Sequence, residues 1–210
     1  MKLYPYVKKG IDFILAFVAL IILSPLFIVL GMLIKIDSRG PIFFKQKRIG
    51  KRKEHFYILK FRTMGIDTPK DMPTHMLQNP EAFITKIGGF LRKTSLDELP
   101  QIINILKGEM SIIGPRPALW NQYDLIRERD KYGANDITPG LTGWAQVNGR
   151  DELPIEIKAK LDGEYVEKIG FLMDIKCFFA TIVNVLKSDG VVEGGAGILG
   201  NHETSNKETI

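Results

Sequence analysis

Cysteine is nearly absent from this chain. Cys177 stands alone, so no disulfide can close within the chain, and a core built without one suits a reducing compartment. Histidine is scarce too: His55, His75 and His202 are scattered, and with a single cysteine they offer no zinc-ligand spacing. There is no Gly-x-Ser-x-Gly turn to present a serine nucleophile and no repeat at solenoid periods. Acids are thin where bases crowd. From Lys35 to Arg62, Arg39, Lys45, Lys47, Arg48, Lys51, Arg52, Lys53 and Lys60 add to the positive charge, against only Asp37 and Glu54. Such a stretch prefers anions, whether nucleic acid, an anionic leaflet or a phosphorylated substrate. With two tryptophans and no alternating aromatic platform, nucleic acid is the poorly supported member of that set.

What is present begins with a long apolar run. The 210 residues, with net charge +5, suffice for one catalytic-sized domain and one membrane element. From Phe13 to Ile34 only Ser24, Pro25 and Gly31 are not apolar side chains, and a helix of that length rises about 33 Å against a hydrocarbon core of about 30 Å. The run is too long for a cleaved signal, and no small-x-small cleavage site follows it. Pro25 at its middle removes a backbone hydrogen bond and predicts a kink or break, while Ser24 can return its hydroxyl to the Ile21 carbonyl that Pro25 leaves without a donor. Lys2, Lys8 and Lys9 precede the run and the basic cluster follows it. The positive-inside tendency therefore pulls both ends toward the cytosol, which a re-entrant hairpin satisfies. A kinked span with its N-terminus outside is the alternative.

Beyond it, residues 42 to 49 and 55 to 61 predict a β-hairpin around a cationic turn. Residues 65 to 82 predict a mobile loop, Leu96 to Leu106 an amphipathic helix stopped by Gly108, Ala118 to Tyr132 a second helix, and Thr138 to Gly149 a turn-rich stretch. A short helix is expected over Pro154 to Leu161. Phe171 to Lys187 predicts another, fit for a core or a lipid surface. From Val192 the chain is Gly-rich, then polar, and predicts disorder. Its Gly-Ala-Gly-Ile-Leu-Gly matches a dinucleotide-binding pattern only in letters, with no strand before it.

Asp97 and Glu98 are adjacent acids, with Arg92 and Lys93 upstream and Arg116 held between two prolines downstream. Ser95 to Glu98 also fits a capping box, in which both acids merely offset the helix dipole. The functional alternative is phosphate chemistry: a carboxylate can attack a diphosphate only where metal and guanidinium groups neutralise the phosphoryl oxygens. Mg²⁺ suits one or two carboxylates plus substrate phosphate. Asp151 to Pro154 repeats Asp-Glu-Leu-Pro without the downstream arginine, and its acids are expected to cap a helix.

Several longer motifs fall in order: Phe44 to Gly50, Lys60-Phe61-Arg62-Thr63-Met64, Arg92 to Gln101, Lys107 to Pro117 and Pro139 to Arg150. Following a Ser-Pro membrane helix, they resemble the bacterial sugar transferase family, the small monotopic phosphoglycosyl transferases, over residues 5 to 190. The resemblance implies an α+β fold: a re-entrant membrane helix over residues 1–36, bent at Ser24 and Pro25, then a mostly helical cytosolic domain over 37–190 with a small hairpin and amphipathic interfacial helices, then a tail over 191–210. It implies transfer of a phosphosugar from a UDP-sugar to polyprenol phosphate (undecaprenyl phosphate) at the cytosolic face of the inner membrane. UMP is released through a covalent aspartyl intermediate, and glycan, capsule or exopolysaccharide assembly begins.

Carried over residue by residue, Asp97 is the nucleophile and Glu98 its metal and orienting partner, with Mg²⁺ on the pair. Arg92 and Arg116 bind phosphate, and Lys60, Arg62, Gln146 and Arg150 face the nucleotide sugar. Anionic lipids are expected partners and nucleic acid is not; the resemblance leaves room for a homo-oligomer. One departure stands out. Where the family commonly has Asp-x-Tyr-Tyr, this chain has Asp162-Gly163-Glu164-Tyr165, which puts a role for Asp162 in doubt. Two rivals remain: a metal-dependent sugar-nucleotide hydrolase, and a single-span scaffold binding anionic lipid or RNA.

Overall fold

The computed structural model describes residues 3–68, 79–149 and 153–187. Helix α1, Tyr4–Asp37, is one helix of 34 residues, rising about 51 Å. It continues through Pro25 rather than breaking there. Ser24 Oγ donates to the Ile21 carbonyl at 2.8 Å, supplying the donor that Pro25 lacks. The helix has two faces that hydropathy alone does not separate. Lys8, Asp12, Ala16, Leu30 and Ile34 are buried, while Phe13, Phe17, Ile21, Ile28 and Met32 are exposed. One stripe therefore serves the domain, and the rest is bare apolar surface.

Strands β1 (Phe43–Ile49) and β2 (His55–Phe61) pair antiparallel in the register Phe43 to Phe61 through Ile49 to His55, as the sequence predicts. Helix α2 (Lys86–Lys93) follows, capped by Thr85, whose side chain accepts from the Gly88 amide. The loop expected over 65 to 82 falls largely outside the described residues, and the tail from 191 wholly so. Helix α3 (Gln101–Leu106), strand β3 (Ser111–Ile113), α4 (Tyr123–Asp130), β4 (Gly140–Thr142), α5 (Trp144–Val147), α6 (Ile155–Glu167) and α7 (Phe171–Lys187) complete the order. β3 and β4 pair in parallel, giving two small sheets in a mostly helical domain.

Three expectations change. The helix expected from Leu96 is a single 3-10 turn followed by the shorter α3, because Pro100 has no N–H to give an unbroken ladder. The helix expected from Ala118 begins only at Tyr123; the chain before it runs beside β1, with the Ile49 amide donating to the Ala118 carbonyl at 2.9 Å. The helix expected over Pro154 to Leu161 is α6, which runs on to Glu167.

Helix α1 and the domain share their cores. Ala16, with Ala19, Leu20 and Leu23 against it, packs on Phe56, Ile58, Ile102 and Met110, and Leu30 and Ile34 pack on Phe61 and Leu91. At the N-terminal end of α1 a polar cluster makes the contact. Lys8 Nζ and Tyr4 Oη both donate to Asp174 Oδ2 at 2.6 Å, Tyr165 Oη donates to Asp174 Oδ1 at 2.6 Å, and Ser111 Oγ donates to Asp12 at 2.6 Å. Asp174 lies on the inner side of α7, whose outer side leaves Phe171, Leu172, Phe178, Phe179 and Val183 exposed.

Candidate active site

The capping box does not form. Ser95 is in the left-handed region at φ 55° and makes no side-chain cap, so no capping box accounts for the two acids, although both do stand in the first turn. The turn Leu96–Glu98 instead delivers both carboxylates to β2. Lys60 Nζ donates to Glu98 Oε1 at 2.7 Å and lies 3.4 Å from Asp97 Oδ2. Arg116 grips Glu98 with both terminal nitrogens, Nη2 to Oε1 at 2.6 Å and Nη1 to Oε2 at 3.3 Å, the forked geometry that guanidinium and carboxylate favour. Asp97 is 4% exposed. Burial by itself would raise the Glu98 carboxyl, but the Arg116 and Lys60 charges overcome it and hold it well below the usual carboxylate range.

Asn104 sets this geometry, and it is a residue that reading the sequence missed. Fully buried, it accepts from the Leu59 amide at 3.0 Å, and its Nδ2 donates to the Tyr57 carbonyl at 2.8 Å and to Glu109 at 2.7 Å. Its side chain thus acts as a surrogate strand along the edge of β2 that faces α3, fixing the register of Lys60 against the acid turn. The available signal was a single amide inside the apolar run Ile102, Ile103, Ile105, since buried amides are kept where they are fully hydrogen-bonded.

Arg92, at the end of α2, donates from Nε to Thr63 Oγ1 at 2.9 Å. Its Nη1 is buried with no protein partner among the described residues. α2 comes this close to the chain after β2 because residue 88 is glycine: a Cβ there would lie 2.0 Å from the Thr63 carbonyl oxygen. Arg62 turns elsewhere. Its guanidinium donates to the Arg39 carbonyl at 2.6 Å and to Ser38 at 2.7 and 2.8 Å, closing the carboxyl end of α1, where a cation opposes the helix dipole.

Gln146 lies in a cleft between α5 and α7, lined by Thr142, Val147, Thr181, Asn184 and Val185. Both its amide atoms are buried without a protein partner among the described residues. Arg150 lies outside the described residues. The structure thus joins Asp97, Glu98, Lys60 and Arg116 by direct bonds, sets Arg92 beside Thr63, and gives Arg62 and Gln146 other surroundings.

The departure after Asp162 has a local cause. A Cβ on Gly163 would lie 2.6 Å from the Tyr132 Cβ, so α6 packs there only as glycine, and Glu164 accepts from Trp144 Nε1 at 3.1 Å.

The sequence pattern of a family described as bacterial sugar transferase matches residues 3–188. The chain is 39% identical over 184 residues to the uncharacterized sugar transferase EpsL of Bacillus subtilis, covering 88% of this chain and 85% of that one. It is 36% identical over 195 residues to the UDP-N-acetylgalactosamine-undecaprenyl-phosphate N-acetylgalactosaminephosphotransferase of Aeromonas hydrophila, covering 90% of this chain and 45% of that one. With the UDP-glucose:undecaprenyl-phosphate glucose-1-phosphate transferase of Escherichia coli it shares 39% identity over 183 residues, covering 83% of this chain and 39% of that one.

Proposed function

The chain belongs to the bacterial sugar transferase family, and from that premise we propose that it transfers a phosphosugar from a UDP-sugar to undecaprenyl phosphate with release of UMP. The observation that carries this for its own residues is the buried Asp97 beside a Glu98 held by Lys60 and Arg116. An Asp97 oxygen attacks the sugar-bearing phosphorus. The bond to the bridging oxygen breaks, its electron pair leaves with UMP, and the phosphosugar stays on Asp97 as an acyl phosphate. A phosphate oxygen of the lipid then attacks the same phosphorus, and the Asp97 carboxylate departs as it arrived. No proton is required of Glu98, which its cations keep ionised. Its work is to hold Lys60 and Arg116 where the diphosphate oxygens arrive. Arg92, whose Nη1 lacks a protein partner among the described residues, supplies a further donor to phosphate.

Mg²⁺ fits this donor set in a limited way. Among the described residues no three acidic, histidine or cysteine side chains gather, and both Glu98 oxygens already receive Arg116. Asp97, with Glu98 beside it, would hold an ion whose other ligands are water and diphosphate oxygens, the usual manner for Mg²⁺. When bound it supplies positive charge that eases approach of a carboxylate to a diphosphate. Gln146 and Arg150 are proposed to face the nucleotide sugar, while Arg62 serves the site through the end of α1.

The protein is a membrane-associated, monotopic enzyme. Supporting a re-entrant course for α1, bent at Ser24 and Pro25, is that both of its ends are tied to one domain. Lys8 and Tyr4 bond Asp174 at one end, and Asp37 accepts from the Ile87 amide at 3.0 Å at the other. A helix crossing the bilayer would put those anchors on opposite sides of about 30 Å of hydrocarbon. On this reading residues 1–36 are the membrane element and 37–190 the catalytic domain on the cytosolic face. The polyprenol stays in the bilayer and the water-soluble donor descends to it.

The test supplies a panel of UDP-sugars with and without undecaprenyl phosphate, and reads UMP, lipid-linked product and a phosphosugar mass on Asp97. Lipid-dependent UMP release and an adduct on Asp97 are expected. UMP release at full rate without lipid would make the protein a hydrolase.

A further inference from the structure

We propose that Arg129, oriented by Asp162, is a positioning residue for the transfer reaction, acting through the main chain of Arg116; this rests on the reading that Arg116 clamps phosphate. The loop Gly114 to Ala118 has an unusual need. Pro115 and Pro117 carry no N–H, so the residues on either side of Arg116 can be fixed only through their carbonyls, and the nearest donor before them, the Gly114 amide, goes to the Thr142 carbonyl at 2.8 Å. Four consecutive carbonyls do receive donors. Pro115 accepts from the Gly140 amide at 2.9 Å and Ala118 from the Ile49 amide at 2.9 Å. Pro117 accepts from Arg48 Nη1 at 3.0 Å, and Arg116 from Arg129 Nη1 at 2.9 Å. The outer two bonds tie the loop to β4 and β1. The inner two, which orient the residue that reaches Glu98, come from guanidinium groups.

Arg129 is 4% exposed and Asp162 1% exposed. Asp162 Oδ2 accepts from Nε at 2.8 Å and pairs with Nη2 at 2.6 Å. This side-on pairing occupies one edge of the guanidinium and leaves Nη1 to the Arg116 carbonyl, so the direction of that nitrogen is set from α6. The line of contacts runs Asp162, Arg129, Arg116 carbonyl, Arg116 guanidinium, Glu98, linking α6 and α4 to the acid pair. Gly163 lets α6 come close enough to α4's end for the pair to form.

The experiment compares full-length protein in detergent or nanodiscs carrying Asp162→Asn, the charge-free pair Arg129→Met with Asp162→Leu, and Arg116→Ala, alone and combined. A misdirected clamp lowers kcat/KM by on the order of 100-fold. That loss should fall on kcat and on KM for the UDP-sugar, with the melting temperature of the charge-free pair near that of the parent. Combined with Arg116→Ala, the Arg129 and Asp162 changes should add less than about twofold, because residues acting through one group are not additive. Losses that multiply in the combined variants would overturn the proposal and leave a purely structural ion pair. So would a charge-free pair that folds and works like the parent. Should neither variant fold, Arg129→Lys, which keeps the charge but not the forked contact, takes their place and must show the same non-additivity. If Arg116→Ala alone leaves kcat/KM intact, the phosphate-clamp reading fails instead, and the two failures are told apart.

Discussion

Asp97 and Glu98 are neighbours in sequence to which the proposed reaction gives different tasks, and their partners differ, Arg116 being bonded to Glu98 and Lys60 shared by both. Asp97→Asn is expected to reduce transfer at least about 1,000-fold, since loss of a covalent nucleophile leaves only binding and charge stabilisation; product formation measured with the natural lipid acceptor checks this. Glu98 carries the pH consequence. Its carboxyl is depressed in the fold, so the stability it contributes is in place above its unfolded value, about 4.3, and is lost only as pH falls through the lower folded value. Glu98 therefore sets no acid limb in the activity of the parent near neutrality. Lys60→Met or Arg116→Ala removes an opposing charge and leaves burial to raise the carboxyl, so an acid limb should appear in kcat and move to higher pH; a pH-rate profile unchanged in shape would count against this. The sequence made the acids legible as candidates but equally as a capping box. What removes the capping box is the backbone of Ser95, whose left-handed φ is invisible in a serine that would cap equally well.

Among the elements, the surrogate strand made by Asn104 and the close approach at Gly88 govern the site. Asn104→Leu strands the Leu59 amide and the Tyr57 carbonyl, each worth about 1–3 kcal/mol when buried without a partner. Thermal unfolding should fall accordingly, and transfer should fall further than stability because Lys60 loses its register. Gly88→Ala forces a methyl into the Thr63 carbonyl and should lift α2, raising KM through Arg92 while leaving the hairpin intact by hydrogen exchange. The hairpin was readable because two short runs with aromatic and branched residues flank the cationic turn Gly50 to Glu54, and β2 then buries Phe56 and Ile58 in one cluster and Phe61 in another. The parallel pair β3 and β4 was not. Ser111-Ile112-Ile113 and Gly140-Leu141-Thr142 are too short for a period, and their partnership depends on contacts between distant parts of the chain. α4 starts late for a related reason: periodicity continues back to Ala118, but the pull of β1 on Ala118 and Leu119 wins over helix extension.

For the molecule as a whole, the question is which side of the bilayer each end of α1 occupies. Asp174 ties the start of α1 to α7 through Lys8 and Tyr4, so the domain can hold the N-terminus on its own side. With Asp174→Ala, Lys8 keeps only Asp12 among the described residues, at 3.6 Å, and a fraction of chains should present the N-terminus to the opposite side. A Leu3→Cys label should be reachable only from the domain side in the parent background and from both sides with Asp174→Ala. Reaction from the far side alone in the parent background would sink the re-entrant course. Hydropathy revealed the length of α1 and not its buried stripe, because Ala16, Leu30 and Ile34 are as apolar as the residues facing outward. That labelling strategy is simplified by Cys177, which is fully enclosed and whose thiol burial pushes up to about 11. At neutral pH it offers almost no thiolate to a maleimide. The natural chain is thereby already a quiet background for attaching fluorophores or spin probes one position at a time, with no need to engineer its own sulfhydryl away.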